Sequence, residues 1–280
     1  LPGAVHPHRD IRLAKSQVFG IVAGNQNQRN RRFLPVDVIQ DRRQHVMRGK
    51  DTAGDAHGAF QPPGIGLCGE RDAMHGGTHL FRRGVEWFTS IGPQDGPGPK
   101  LFCFSGQLQR PGVYEAPMGM PLGEMLEVYG GGAVSGRFKA AIPGGVSAPM
   151  FPESGFDVRM DFSSLAAAGS MLGSAGVIGL DETASIPRVA RRITEFFSHE
   201  SCGKCTPCRE GLTWAAKILR RIEAGEGSAG DVEQLEMLCG SIFGKSFCAL
   251  GDGAAWALGA ALKHFRPEFE ALITPQTMAG

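Results

Sequence analysis

The chain of 280 residues has no run of about 18 or more apolar residues, so no segment should span a bilayer as a helix. Net charge is nearly absent: 29 Lys and Arg against 28 Asp and Glu leave +1, and no overall field argues for nucleic acid or an anionic membrane. A disulfide framework is missing as well. Of the seven cysteines, Cys68, Cys103 and Cys239 follow no pairing pattern, which points to a reducing compartment, and Cys103 and Cys239 read as inert, packed thiols. Despite 41 glycines there is no phosphate-cradling loop: Gly144-Gly145 and Gly173 do not fit G-x-G-x-x-G ahead of a helix and read as turns. No residue makes a persuasive nucleophile or general base, so no catalytic residue is assigned. Residue 1 is Leu rather than Met, and the chain is expected to be processed, partial or incompletely read.

What is present is a set of four cysteines. Cys202, Cys205 and Cys208 stand in Glu200-Ser201-Cys202-Gly203-Lys204-Cys205-Thr206-Pro207-Cys208-Arg209-Glu210-Gly211, and Cys248 follows in Ser246-Phe247-Cys248-Ala249-Leu250. A C-x2-C-x2-C run with one remote cysteine suits a cubane [4Fe–4S] cluster: three-residue steps aim successive sulfurs at one centre, and the distant thiolate closes the fourth corner. Structural zinc is the alternative, although four-cysteine zinc sites usually come as two C-x2-C pairs. Thr206 and Pro207 are placed as N-cap and first residue of a helix, which sets the triplet at a positive helix end. Lys204 and Arg209 add positive charge, and all three effects favour the reduced, more negative cluster. His199 and Glu200 read as the end of the preceding helix rather than as an acid/base pair.

The chain divides into three stretches. Residues 1–79 hold six of the eight histidines without metal-ligand spacing, a basic patch (Arg29, Arg31, Arg32, Arg42, Arg43) read as a solvated face, and one strand-like run, Phe33–Ile39. From Leu80 the texture changes. Strands are expected at Leu101–Ser105, Gly112–Ala116, Lys139–Ile142 and Gly176–Leu180, with a helix over Met120–Tyr129 ending at Gly130-Gly131-Gly132. After Asp181 four short helices read as a bundle. The first is capped by Ser185, with Val189, Ile193, Phe196 and Phe197 on one face. The second carries Leu212, Ala215, Ala216, Leu219 and Ile222 and ends at Gly225. The third runs from Asp231 to Leu238 with Ser228 near capping-box spacing, and the fourth from Ala254 to Phe265, before Pro267. Trp214 and Trp256 are assigned to the core.

The cysteine runs, together with Gly169-Ser170-Met171-Leu172-Gly173-Ser174, Ile142-Pro143-Gly144-Gly145, Arg110-Pro111-Gly112-Val113-Tyr114-Glu115 and Gly84-Val85-Glu86-Trp87-Phe88, closely resemble the flavoprotein (F) subunit of NADH:quinone oxidoreductase, respiratory complex I. The resemblance covers about Leu80 to Glu270, roughly two-thirds of the chain. It implies an α+β fold: a connecting helix or loop at 80–98, a ubiquitin-like β-grasp (SLBB) domain at 99–182, a [4Fe–4S]-binding four-helix bundle at 183–270 and a tail at 271–280. Residues 1–79 stay unassigned, either disordered or translated out of frame. The resemblance makes Cys202, Cys205, Cys208 and Cys248 the cluster ligands. It also implies electron transfer from NADH through FMN toward quinone, and docking to the small [2Fe–2S] subunit and the large multi-cluster subunit. The implied place is cytoplasmic, peripheral on the inner face of the membrane, or on the matrix side in mitochondria. The family's glycine-rich FMN and NADH segment has no counterpart in residues 1–79, where Cys68-Gly69-Glu70 is read as a coincidental echo, so this chain alone is expected to bind neither. Two alternatives stand beside this reading: the diaphorase subunit of an NAD-linked hydrogenase or formate dehydrogenase, and a zinc-stabilised interaction module with no redox role.

Overall fold

A computed structural model describes residues 75–273, with side chains from residue 79 onward. The Phe33–Ile39 strand, the arginine patch and Cys68 lie outside the described residues. Helices α1 (His75–Arg83) and α2 (Val85–Thr89) lead into strands β1 (Pro99–Gly106) and β2 (Gly112–Pro117). Then come α3 (Leu122–Val128), β3 (Phe138–Ile142), the two-residue β4 (Phe151–Pro152), a 3-10 turn at Glu153–Gly155, α4 (Phe162–Ala167) and β5 (Gly176–Asp181). Four longer helices follow: α5 (Ile186–Glu200), α6 (Thr206–Glu223), α7 (Asp231–Ile242) and α8 (Leu250–Glu270).

The fold is α+β around a mixed five-stranded sheet in the order β2-β1-β5-β3-β4. β1 and β2 form an antiparallel pair with Leu101 opposite Glu115, β1 runs parallel to β5, and β3 is antiparallel to both β5 and β4. Period-two alternation on β1 buries Phe102 and Phe104 while Leu101, Cys103 and Ser105 are less covered. β5 lies centrally and is buried on both faces from Val177 to Asp181, which is why its sequence reads as an unbroken apolar run. One sheet face, with Phe102, Phe104, Phe138, Ala141 and Val177, packs on Leu122, Met125 and Leu126 of α3 and Leu165 of α4. The opposite face, with Ala140, Ile142, Ile178 and Leu180, shares a core with α5–α8. The sheet is therefore the middle layer of three.

Each strand and helix expected within the described residues is present, but several boundaries and two side chains differ. α7 extends to Ile242, beyond Leu238, because Ile242 is buried in the helical core. Of the expected capping box, the bond from Ser228 N–H to the Asp231 carboxylate forms (2.9 Å), but Gly230 is the N-cap. α8 starts at Leu250 rather than Ala254; its helical backbone breaks at Phe265 (φ −129°, ψ 24°), where the sequence places the end ahead of Pro267, and a further helical turn then continues to Glu270. Trp214 is 53 % exposed and Trp256 38 % exposed, so neither belongs to the core.

Polar contacts fasten the helices to each other and to the sheet. Lys139 on β3 donates to Glu268 of α8 (3.0 Å) and to the Ala184 carbonyl, and the other Glu268 oxygen accepts the Ile186 N–H at the start of α5 (3.2 Å). Glu195 on α5 takes Arg220 of α6 at 2.6 Å and Arg191 at 2.7 Å, while Arg191 also pairs with Glu223. Partial burial acts to raise the Glu195 pKa, but the hydrogen bonds from Arg220 and Arg191 outweigh it and hold the carboxyl below its ordinary value. A depressed folded value stabilises the fold above the unfolded pKa of about 4.3 and is lost as pH falls through the folded value. Thermal melts should therefore drop more steeply with acid in the native chain than in Glu195→Gln; parallel pH curves would show that the cluster contributes nothing.

Candidate metal centre

The cysteine run folds as a loop that ends one helix and starts the next. α5 ends at Glu200, where His199 Nδ1 lies 3.0 Å from the Glu200 carboxylate; both side chains are exposed at the helix end. Ser201 is extended, and Gly203 takes φ +81°, a left-handed turn that L side chains rarely adopt, which reverses the chain between Cys202 and Cys205. The expected N-cap is off by one residue. Cys205 is extended (φ −92°, ψ 120°) and its carbonyl accepts the Arg209 N–H at 2.9 Å, the first bond of the helix, so Cys205 is the N-cap and Pro207 stands in the first turn. Cys208 occupies the third position of α6 and is 6 % exposed, while Cys202 is exposed and Cys205 half-buried.

Cys248 sits just before the other helix that points its start at this loop. Ala249 is the N-cap of α8, and Asp252 in its first turn accepts the Gly244 N–H (2.7 Å), closing the 243–249 loop. The Phe247 N–H donates to Cys205 Sγ at 3.5 Å, which brings the Cys248 segment onto the triplet. A side-chain carbon built on Gly251 would lie 3.5 Å from Cys208 Cβ, 3.2 Å from Ser246 Oγ and 3.1 Å from Ile242, so a larger residue would press Ser246 and Ile242 back by a few tenths of an ångström. Thus the starts of α6 and α8, each with N–H groups left free by the helix and a positive dipole end, meet beside Cys205 and Cys208, with Cys202 and Cys248 in the adjoining loops.

Arg209 contributes less charge than its sequence position suggests. Its Nε donates to Glu210 (2.7 Å) and its Nη1 to the Gly203 carbonyl (2.6 Å), so it braces the loop while Glu210 offsets its charge. Lys204 is exposed. Cys239 is separate in character: burial first, then the Glu236 charge, push its thiol up to about 12. Cys103 lies half-buried on β1. Among the described residues, no group of three His, Cys, Asp or Glu closes tightly enough to hold a single metal ion.

The residues fit an iron–sulfur cluster in kind and in surroundings. All four donors are soft sulfur ligands. Ser246 Oγ is buried with no hydrogen-bond partner, which costs about 1–3 kcal/mol unless an acceptor is supplied, and cluster sulfur is such an acceptor. The sequence marked the cysteines but not Ser246, nor Ser201, whose Oγ lies 3.3 Å from Cys208 Sγ. The Ser246 placement depends on how distant segments meet, and the Ser201 contact on how the loop turns at Gly203.

Residues 188–272 match the family model described as the NADH-ubiquinone oxidoreductase-F iron-sulfur binding region. The matched residues take in the helical layer and its cysteine loop, so this layer resembles an iron–sulfur binding region. The chain is 64 % identical over 196 residues to the second NADH-quinone oxidoreductase F subunit of Rhizobium meliloti (strain 1021), covering 70 % of this chain and 47 % of that protein. To the F subunit of the Streptomyces coelicolor enzyme it is 47 % identical over 195 residues, covering 70 % and 43 %. Over its C-terminal two-thirds the chain is similar to NADH-quinone oxidoreductase F subunits, and it spans under half the length of these curated relatives. Among solved structures, the NAD+-reducing [NiFe]-hydrogenase in its H2-reduced state aligns with TM-score 0.63 and 30 % identity, covering 71 % of this chain and 34 % of that one.

Proposed function

We propose that this chain is the electron-relay portion of such an F subunit, with Cys202, Cys205, Cys208 and Cys248 as the ligands of its [4Fe–4S] cluster. The observation that carries the reading is that the Cys248 segment and the start of α8 pack against Cys205 and Cys208 at the start of α6, inside the iron–sulfur-matched segment. When bound, the cluster supplies reversible one-electron transfer. The chain's own residues hold and bias it: Cys208 anchors the buried side, Gly203 and Arg209 fix the loop, and the two helix starts favour the extra negative charge of the reduced state. Among the described residues no helix is long and apolar enough to cross a membrane.

In the intact protein, electrons would pass from NADH through FMN toward quinone. The small [2Fe–2S] and large multi-cluster subunits would be its partners, and the complex would sit peripherally on the cytoplasmic face of the membrane or on the matrix side. By itself the chain is expected to bind neither FMN nor NADH, since residues 1–79 lack the glycine-rich segment. The 64 % identity to a quinone-linked relative against 30 % to the hydrogenase favours the quinone-linked enzyme over the diaphorase reading.

Anaerobic reconstitution with iron and sulfide tests the proposal. A brown protein with broad absorbance into the visible and an electron paramagnetic resonance signal on reduction is expected. A colourless protein holding stoichiometric zinc would overturn it in favour of an interaction module, and stoichiometric flavin in the purified chain would sink the expectation about FMN.

A further inference from the structure

We infer that Ser201 tunes the electron affinity of the centre by donating its hydroxyl hydrogen to the thiolate of Cys208. The inference rests on the proposed role of Cys208 as a cluster ligand and deepens it. Ser201 Oγ lies 3.3 Å from Cys208 Sγ. A ligating cysteine has lost its proton, so the serine is the donor and the sulfur the acceptor. The Gly203 N–H reaches the same Oγ at 3.4 Å, which engages an oxygen lone pair and leaves the hydroxyl hydrogen free for the sulfur.

This short relay of donors is held at its far end. The Gly203 carbonyl accepts from Arg209 at 2.6 Å, and the left-handed turn at Gly203 aims its N–H back toward Ser201. Of the four cysteines only Cys208 is buried, so water competes least at this sulfur and the hydrogen bond counts most there. Reduction adds negative charge that the ligand sulfurs share. A charge-assisted hydrogen bond to Cys208 then becomes stronger in the reduced state than in the oxidised one, and the potential rises. Ser201 acts through Cys208 and is therefore a positioning residue.

Whole chains carrying Ser201→Ala and Ser201→Thr, reconstituted anaerobically beside the native chain, test this. Iron and sulfide content is read first, and midpoint potential second by redox titration of the paramagnetic signal. Ser201→Ala is expected to keep its cluster and lower the reduced-to-oxidised ratio at a fixed potential about tenfold, a downward shift of about 59 mV for one electron. Ser201→Thr keeps the hydroxyl in an extended position that suits a β-branched residue, and should hold the native midpoint. An unchanged midpoint in Ser201→Ala would overturn the inference, and so would a threonine variant that falls as far as the alanine one. A Ser201→Ala chain that assembles no cluster would overturn it too, by giving the hydroxyl a part in assembly instead. A native chain that stays colourless with zinc would sink the ligand assignment beneath it, which is a separate failure.

Discussion

Cys248→Ala should lose the cubane. The native chain should reconstitute to four irons, whereas the variant should hold less iron and show a diminished or altered reduced-state signal. The physical reason is topological. Cys202, Cys205 and Cys208 come from one tight loop, and Cys248 is the only thiol of the four delivered by another segment, so nothing in the loop can substitute for it. Its backbone neighbour Phe247 touches Cys205 Sγ, but a backbone N–H cannot ligate iron. Iron and sulfide analysis of the two proteins gives the answer, and a full native complement in the variant would remove Cys248 from the ligand set. Cys239→Ala is the matched control: a thiol pushed up to about 12 stays protonated near neutral pH, so its loss should leave iron content unchanged.

Phe269→Ala should destabilise the fold by about 3–5 kcal/mol, as for a buried aromatic truncated to a methyl group. Phe269 has no exposed surface and packs in the core that α5–α8 share with the sheet. Next to it, Glu268 ties Lys139 of β3 to the start of α5, so the turn beyond Pro267 is anchored by apolar and polar contacts together. If the helix stopped ahead of the proline, the same substitution would sit on a loose end and cost little. Chemical denaturation separates the two: a midpoint shift within experimental scatter would mean that the last turn of α8 adds nothing to stability in solution.

The proposed cysteine site is legible in the sequence because its signal is local: three cysteines in seven residues need no tertiary knowledge, and helical periodicity places the apolar faces of α5 and α6. The two tryptophans show where residue size misleads. Trp214 is two residues from Leu212 and Trp256 two from Leu258, about 200° around a helix, so phase puts each on the far side from the buried stripe. Phase is the better guide than size. Pro267 marks the break at Phe265 correctly but hides the helical turn beyond it, whose cost the deep burial of Phe269 offsets. Ser201 and Ser246 stay hidden because a serine becomes informative only when its neighbours in space are known.

The middle-layer sheet has one further effect. Ile178 and Leu180 lie among the helices while Val177 lies under α3, so adjacent residues of a single strand serve opposite cores. Neither side can loosen without disturbing the strand that holds the other. The sheet and the helices on its two faces should therefore melt together, and free energy gained if metal and sulfide bind at the helices should be felt across the sheet as well.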